Sequence, residues 1–381
     1  MRTEVHGMAY AYHCPSDSAI FNTVFLDYTI YNRSNLTFDS TIIGFMANLN
    51  LGMYWDDYMG SDVDRSTFYI YNSDLFDESD SANNIIGYGA NLPIQTITFL
   101  KGAKQDNDGV DNNFGIGNNE TINGLGFGDG IADNEYWGME RFKTYIEGCG
   151  WGPCFGNPFT KYDFYRYLKG QWDDGGPLVY GGNGNAASTG GTIPARFHYP
   201  DTSDTYAYGT NGLPQPQWSE ILEGNLGGDR KGVGTTGPFT FNPDSSVSIT
   251  IALTFAQNYL NTGQLASLAI MQERVDSIRS YFATDFVSVC GGTLGVNDKV
   301  KKDRLLLIYP NPTSNCFTIE GLNKPYELTI YNSLGQLLYN ETNILEASKR
   351  VDVSKYINGV LFIRVEVEGK IYYSKVLKTT N

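Results

Sequence analysis

Ser246–Phe255 reads SVSITIALTF, and its alternation of branched or apolar residues with small or hydroxyl ones decides the fold class. A side-chain period of two puts Val247, Ile249, Ile251 and Leu253 on one face of an extended strand. Working outward, Ile20–Asn32 (IFNTVFLDYTIYN), Thr41–Leu51, Thr67–Asn72 (TFYIYN) and Ile94–Leu100 have the same β-branched and aromatic content and read as strands. Helical periodicity is scarce. Gln264–Phe282 is the one convincing helix, with Leu265, Leu268, Met271, Val275, Ile278 and Phe282 recurring at three- and four-residue spacings. Glu140–Glu147 and Tyr162–Leu168 are each read as two helical turns. No internal repeat is visible. The expected fold is mainly β: a β-sandwich body, open to a jelly-roll arrangement, with one late helix.

Composition agrees with that reading. Only 18% of the 381 residues are charged, below the ~25% of ordinary soluble domains, while Tyr, Phe and Gly are abundant. Such a chain favours short strands and many turns. The net charge of −15 is unevenly placed. From Lys301 onward there are 11 Lys and Arg against 8 Asp and Glu; of the chain's 27 and 42 this leaves 16 basic and 34 acidic residues before it, a body of −18. A body so acidic repels phosphate backbones, so nucleic acid is excluded as a partner. Acidic clusters beside Gly and Asn suit hard cations instead. No apolar run approaches ~20 residues, so no transmembrane helix is expected.

The sharpest acidic motif is Asp106-Asn107-Asp108-Gly109-Val110-Asp111-Asn112-Asn113. Carboxylates two residues apart, with Gly following, let a loop fold its oxygens inward around one ion, so Asp106, Asp108 and Asp111 are candidate calcium ligands. It is not an EF-hand, because Gly117 stands where the closing Glu belongs. Asp129, Asp133 and Glu135 follow in a second loop, and both loops are expected to converge on one calcium. The alternative is a pair of solvated acidic turns. Asp56 and Asp57 with Asp62 and Asp64 form a third cluster. Asp229-Arg230 reads as a structural ion pair. Nothing carries a catalytic signature: there is no HExxH and no GxSxG. A glycosidase needs only two carboxylates, which 34 acids make uninformative; Asp56, Asp57, Glu135 and Glu140 are the candidates. Trp172 and Trp218 flank Gly-rich loops, where sugar stacking competes with ordinary packing.

Beyond a Gly/Asn linker at 295–304, the remaining residues, 305–381, separate from the body at 1–294 and read as about seven short antiparallel strands, a small immunoglobulin-like β-sandwich. Tyr309-Pro310-Asn311-Pro312 ends the first strand, since two prolines cannot stay in a ladder. Asn332 to Gly335 turns the chain, and Asn358-Gly359 reads as a hairpin dipeptide. In Val360–Val367, Leu361, Ile363, Val365 and Val367 share the apolar face.

Four motifs stand here in order: YPNP at Tyr309–Pro312, IYNSLGQLL at Ile330–Leu338 with Tyr331, Asn332, Gly335 and Gln336, DVSKYINGVLFIRV at Asp352–Val365 with Asn358 and Gly359, and KVLK at Lys375–Lys378. Together they resemble the type A C-terminal sorting domain of the Bacteroidetes type IX secretion system. That resemblance implies recognition of the folded tail by the outer-membrane translocon, and a secreted or outer-membrane-surface location. In the body, Asp56 to Asp62, Tyr71-Asn72, Gly126 to Gly130 and Gly228-Asp229-Arg230 are similar to uncharacterised secreted Bacteroidetes proteins, a likeness that brings no activity with it.

Export has two consequences for the reading. Met1–His6 has no apolar signal region, so the true N-terminus is expected to lie upstream. In an oxidising compartment Cys149 and Cys154, which bracket Gly150 to Pro153, are expected to close as a local disulfide; two unrelated thiols are the alternative. Pairing of Cys14 with Cys290 stays open, and Cys316 reads as a buried free thiol. The functional expectation is an exported surface protein, a calcium-stabilised binding or adhesion module for a glycan or other surface ligand. The alternative is a secreted hydrolase acting on polysaccharide or protein.

Overall fold

The computed structural model describes residues 2–146, 156–284, 286, 307–320, 322, 324–332, 335–368 and 370–379. The chain divides into two compact units, Met1–Gly295 and Val296–Asn381. Cys149, Cys154 and Cys290 fall outside the described residues, and with them the expected 149–154 disulfide. Cys14 is disulfide-bonded, and Cys316 is a half-buried free thiol.

Among the described residues the body contains nine strands: β1 (Thr3–Ala11), β2 (Thr23–Asn32), β3 (Phe38–Asn48), β4 (Asp57–Asp62), β5 (Thr67–Asn72), β6 (Pro93–Lys101), β7 (Arg141–Ile146), β8 (Arg230–Phe241) and β9 (Ser246–Gln257). Its helices are α1 (Ser18–Phe21), α2 (Lys161–Leu168), α3 (Ala186–Thr189), α4 (Glu220–Glu223) and α5 (Leu268–Ala283). The strands form a six-stranded antiparallel sheet, β1-β2-β9-β6-β5-β4, and a three-stranded one, β3-β8-β7. One core joins them: Met59, Phe68, Ile70, Ile97, Phe99 and Ile251 from the larger sheet meet Ala47 and Phe142 from the smaller. This is a mainly β sandwich, and β9 lies near the middle of the larger sheet, between β2 and β6. Gly234 of β8 shows how closely the sheets approach, since a Cβ there would stand 2.7 Å from Phe68 and 2.8 Å from Phe99. Helix α5 covers the outer face of the six-stranded sheet, where Met271 and Val275 pack with Tyr58, Tyr69 and Tyr71. That second cover explains why every residue of β5 is buried.

Three local readings change. Ile20 and Phe21 belong to the turn of α1, whose N-cap Asp17 accepts the amides of Ala19 (2.9 Å) and Ile20 (3.2 Å), so the strand starts only at Thr23. The helix expected from Glu140 onward is absent through Ile146. Instead Arg141–Ile146 pairs along β8, with Phe142 in the sandwich core and Tyr145 packed against Tyr167 of α2. The third acidic cluster is not a loop either. Asp57 to Asp62 is β4, buried throughout, and its period of two sends Asp57 and Asp62 to opposite faces.

The second unit contains β10 (Leu307–Tyr309), β11 (Cys316–Glu320), β12 (Tyr326–Tyr331), β13 (Leu337–Ile344), β14 (Ser348–Asp352), β15 (Gly359–Val367) and β16 (Lys370–Lys378). They form sheets β10-β11-β14 and β13-β12-β15-β16 around one core that includes Phe317, Ile319, Val351, Leu361, Ile363 and Val365. Asn358-Gly359 does not close a hairpin: β14 pairs with β11 and β15 with β12 and β16, so the dipeptide lies where the chain changes sheets.

Candidate functional site

The two acidic loops of the body do converge, through reciprocal bonds between carboxylates and backbone amides. Asp111 accepts the amides of Gly128 (2.8 Å) and Gly130 (2.6 Å). Asp133 accepts those of Asp108 (2.8 Å) and Gly109 (2.9 Å), and Glu135 that of Asn112 (2.8 Å). Asp108 takes the side-chain amides of Asn112 and Asn119, each at 3.2 Å, and Asp129 takes the backbone amide of Ile131 and the side-chain amide of Asn134, each at 2.9 Å. Asp106 turns away to Thr240, accepting its amide at 2.8 Å and its hydroxyl at 2.7 Å. A carboxylate facing two N–H groups is well satisfied without a cation. Among the described residues these six acids do not form a set of three carboxylates mutually within ion-sharing distance.

A different trio does. One oxygen each of Asp56, Asp74 and Glu78 lie within 4.8 Å of one another. Asp74 and Glu78 come from NSDLFDESD, the acidic stretch directly after β5, a sequence signal that the reading passed over. Neither oxygen of Asp56 has a hydrogen-bond partner, and both are out of solvent. Asn72 lies near enough to draw the Asp56 pKa down, but its amide makes no hydrogen bond and is itself unsatisfied. Next to it Asp57 is fully buried; one oxygen faces the Leu51 amide at 3.3 Å and the other faces no donor. Burial first, then the surrounding acids, push Asp56 up to about 7 and Asp57 up to about 9. Asp77 is satisfied, by the amides of Met53 and Tyr88, each at 2.7 Å. The former cluster-mates lie elsewhere: Asp62 pairs with Arg65 at 3.0 Å, and Asp64 accepts the Thr205 hydroxyl at 3.0 Å.

The body also has a pocket of about 790 Å³, lined by Glu120, Trp137, Glu140, Arg141, Tyr165, Lys169, Arg196 and Tyr208 among others. Glu140, just outside the start of β7, is held by the Thr121 hydroxyl at 2.9 Å, by the Tyr208 hydroxyl, and by Arg196 at 3.6 Å. Burial pushes its pKa above the usual carboxylate range although these donors pull it back. Arg196 also lies over the Tyr208 ring, 4.5 Å from its centroid. Lys169 and the exposed Tyr165 come from the end of α2 and the residue after it, with the ammonium 5.1 Å from the ring centroid. Glu140 was singled out in the sequence; the three cations were not, because 28 and 27 residues of chain separate Arg141, Lys169 and Arg196 and no local pattern joins them.

The two tryptophans take the packing role. Trp172 and Trp218 are buried and donate their ring N–H to the carbonyls of Gly184 (2.9 Å) and Gly182 (3.0 Å). Arg230 pairs with Glu220 at 2.9 Å, inside the body.

In the second unit the motif residues seat the last strand. Asn311 accepts the Leu377 amide and donates to the Lys375 carbonyl, each at 2.9 Å, which ties Tyr309-Pro310-Asn311-Pro312 to β16. Asn358 accepts the Lys378 ammonium at 3.3 Å, beside the Gly359–Lys378 pair. Asn332 closes the turn after Tyr331 by accepting the Gln336 amide at 2.9 Å and donating to its side chain at 2.7 Å, and Gly335 supplies the positive φ of 77°. Asn311→Ala frees one backbone donor and one acceptor on β16. We expect it to cost about 1–2 kcal/mol, read as a lower urea midpoint for the tail at unchanged slope. An unchanged midpoint would mean that the prolines alone seat this segment.

Comparison with known proteins follows this division. The secretion system C-terminal sorting domain family matches residues 307–379. No curated protein matches the chain. The solved structure of PorZ, an essential bacterial surface component of the type-IX secretion system of Porphyromonas gingivalis, is similar over 22% of this chain and 12% of that one, at 19% identity and a TM-score of 0.18. A likeness of that size carries no argument about the body. Residues 307–379 are a C-terminal sorting domain of the type IX secretion system, and the chain that carries them is an exported cell-surface or outer-membrane protein.

Proposed function

We propose that this protein is a calcium-stabilised binding module displayed outside the cell, and that its body takes an anionic glycan in the pocket of Arg141, Lys169 and Arg196. The observation that carries the reading is the gathering of three cations in one pocket of a body whose net charge is −18. Guanidinium groups match carboxylates in a two-pronged geometry that an ammonium lacks. Tyr165 at the rim offers an aromatic face for a sugar ring. Calcium-dependent stability belongs to the same reading, since acid-rich loops draw a cation from an extracellular medium.

The test is calorimetry of the full chain with oligosaccharides of uronic acids and with neutral ones of equal length. Acidic chains are expected to bind, and Arg141→Ala with Lys169→Ala to weaken them at least tenfold, about 1.4 kcal/mol. Equal binding of both classes, or none of either, defeats the reading. A secreted hydrolase is the second reading, favoured by Glu120 and Glu140 lining the same pocket and by the raised pKa of Glu140. It requires new reducing ends from the same oligosaccharides and their loss in Glu140→Gln.

A further inference from the structure

We propose that Asp56, Asp74 and Glu78 form a calcium site beside the start of β4, the edge strand of the six-stranded sheet. Three oxygens mutually within 4.8 Å fit around one ion whose ligands stand about 2.3–2.6 Å away, since opposite ligands are then about 5 Å apart. Such a trio is not enough by itself, because exposed acids gather without ions. The second observation is the state of the inner carboxylates. Both oxygens of Asp56 and one of Asp57 are out of solvent without a hydrogen-bond donor, and Asp57 is 0% exposed. Buried carboxylate oxygens are almost always bonded, and a buried charge needs a counter-charge. Among the described residues no Lys, Arg or His pairs with Asp56, Asp57, Asp74, Asp77 or Glu78. By contrast the acids at 106–135 are turned onto amides and side-chain donors. The local chemistry therefore asks for a cation at the first place and supplies N–H groups at the second.

The position gives the ion a structural task. Asp56 directly precedes β4, and Asp74 and Glu78 lie on the segment that leaves β5, its neighbour in the sheet. Asp77, in that same segment, already holds the Met53 and Tyr88 amides. An ion bound by Asp56, Asp74 and Glu78 fastens the segment that follows β5 to the residue that opens β4.

The experiment uses the full chain stripped with chelator and titrated with calcium chloride, followed by calorimetry and by thermal unfolding. One calcium per chain at this site and a rise in unfolding temperature of several degrees are expected. The variant D74N/E78Q changes only exposed side chains, so it is expected to fold and to lose this calcium with at least a tenfold fall in affinity. D106N/D108N, at the other acidic loop, is expected to keep it. Absence of any calcium response overturns the proposal. So does a response that survives D74N/E78Q and disappears in D106N/D108N. Glycan binding by the Arg141 pocket is read separately, so its failure leaves this result intact.

Discussion

Arg230→Met is expected to lower the stability of the body by about 3–5 kcal/mol, a fall in unfolding temperature on the order of 10 °C for a domain of this size. Arg230 and Glu220 form a buried pair, with side chains 7% and 0% exposed and 2.9 Å apart. Glu220 also accepts the Asn225 amide at 2.9 Å and faces the Met59 amide at 3.4 Å, and Arg230 donates to the Leu226 carbonyl at 2.8 Å. The pair thus joins α4, β4 and β8. Removing the guanidinium leaves a carboxylate in the interior with two neutral donors and no counter-charge. Replacing both residues, as in Glu220→Leu with Arg230→Met, is expected to recover most of the loss, because the desolvation of two charges disappears together with their attraction. Thermal unfolding of the two variants against the parent decides the matter; a double variant no more stable than the single one would show that the hydrogen bonds, and not the charge, matter.

The same pair sets a pH dependence. Burial raises the Glu220 pKa, and Arg230 pulls it back. A carboxyl with a raised folded pKa binds more protons when folded, so its protonation adds stability that is complete below the ordinary carboxylate range and is lost as pH rises through the folded value. Loss of Arg230 moves that folded value further up. The stability difference between Arg230→Met and the parent is therefore expected to shrink on acidification from pH 7 toward pH 5.

Ile363→Asp is expected to abolish delivery to the cell surface. Ile363 is fully exposed to the tail core and not to solvent, at 0% accessibility, opposite Ile330 of β12 and Ser374 of β16. An unpaired carboxylate there costs on the order of several kcal/mol. A domain of this length has little stability in reserve, so the tail unfolds while the separate body does not. If the translocon reads the folded tail, the surface-exposed fraction drops by on the order of tenfold or more, as seen by protease accessibility on intact cells and immunoblotting. Ile363→Val, which keeps shape and packing, is expected to be delivered normally. Equal delivery of Ile363→Asp would mean that the export machinery recognises linear motifs such as Tyr309–Pro312 without needing the sandwich.

How much of the fold is legible in the chain follows the range of the forces involved. Period-two alternation in Ser246–Phe255 and Val360–Val367, and β-branched and aromatic content in Thr67–Asn72, are local properties, and all three segments are strands. The spacing in Gln264–Phe282 likewise marks α5, although the helix proper starts at Leu268. The tail was legible as seven strands and as a sorting domain because its turns and motifs lie close together along the chain. Tertiary structure decided the rest. Arg141–Ile146 became a strand because β8 supplied a ladder for it, in which Phe142, Thr144, Tyr145 and Ile146 follow their own strand preference. Pairing with β5 fixed Asp57 to Asp62 as a strand, whose period of two sends Asp57 and Asp62 to opposite faces. Asp111 and Asp133 found their amide partners on each other's loops. The pocket cations at 141, 169 and 196, and the carboxylates of Asp56, Asp74 and Glu78, meet only after the sheets have formed. Hydrophobic periodicity is written residue by residue, whereas the meeting of charges depends on strand order and register, which no single stretch of the chain contains.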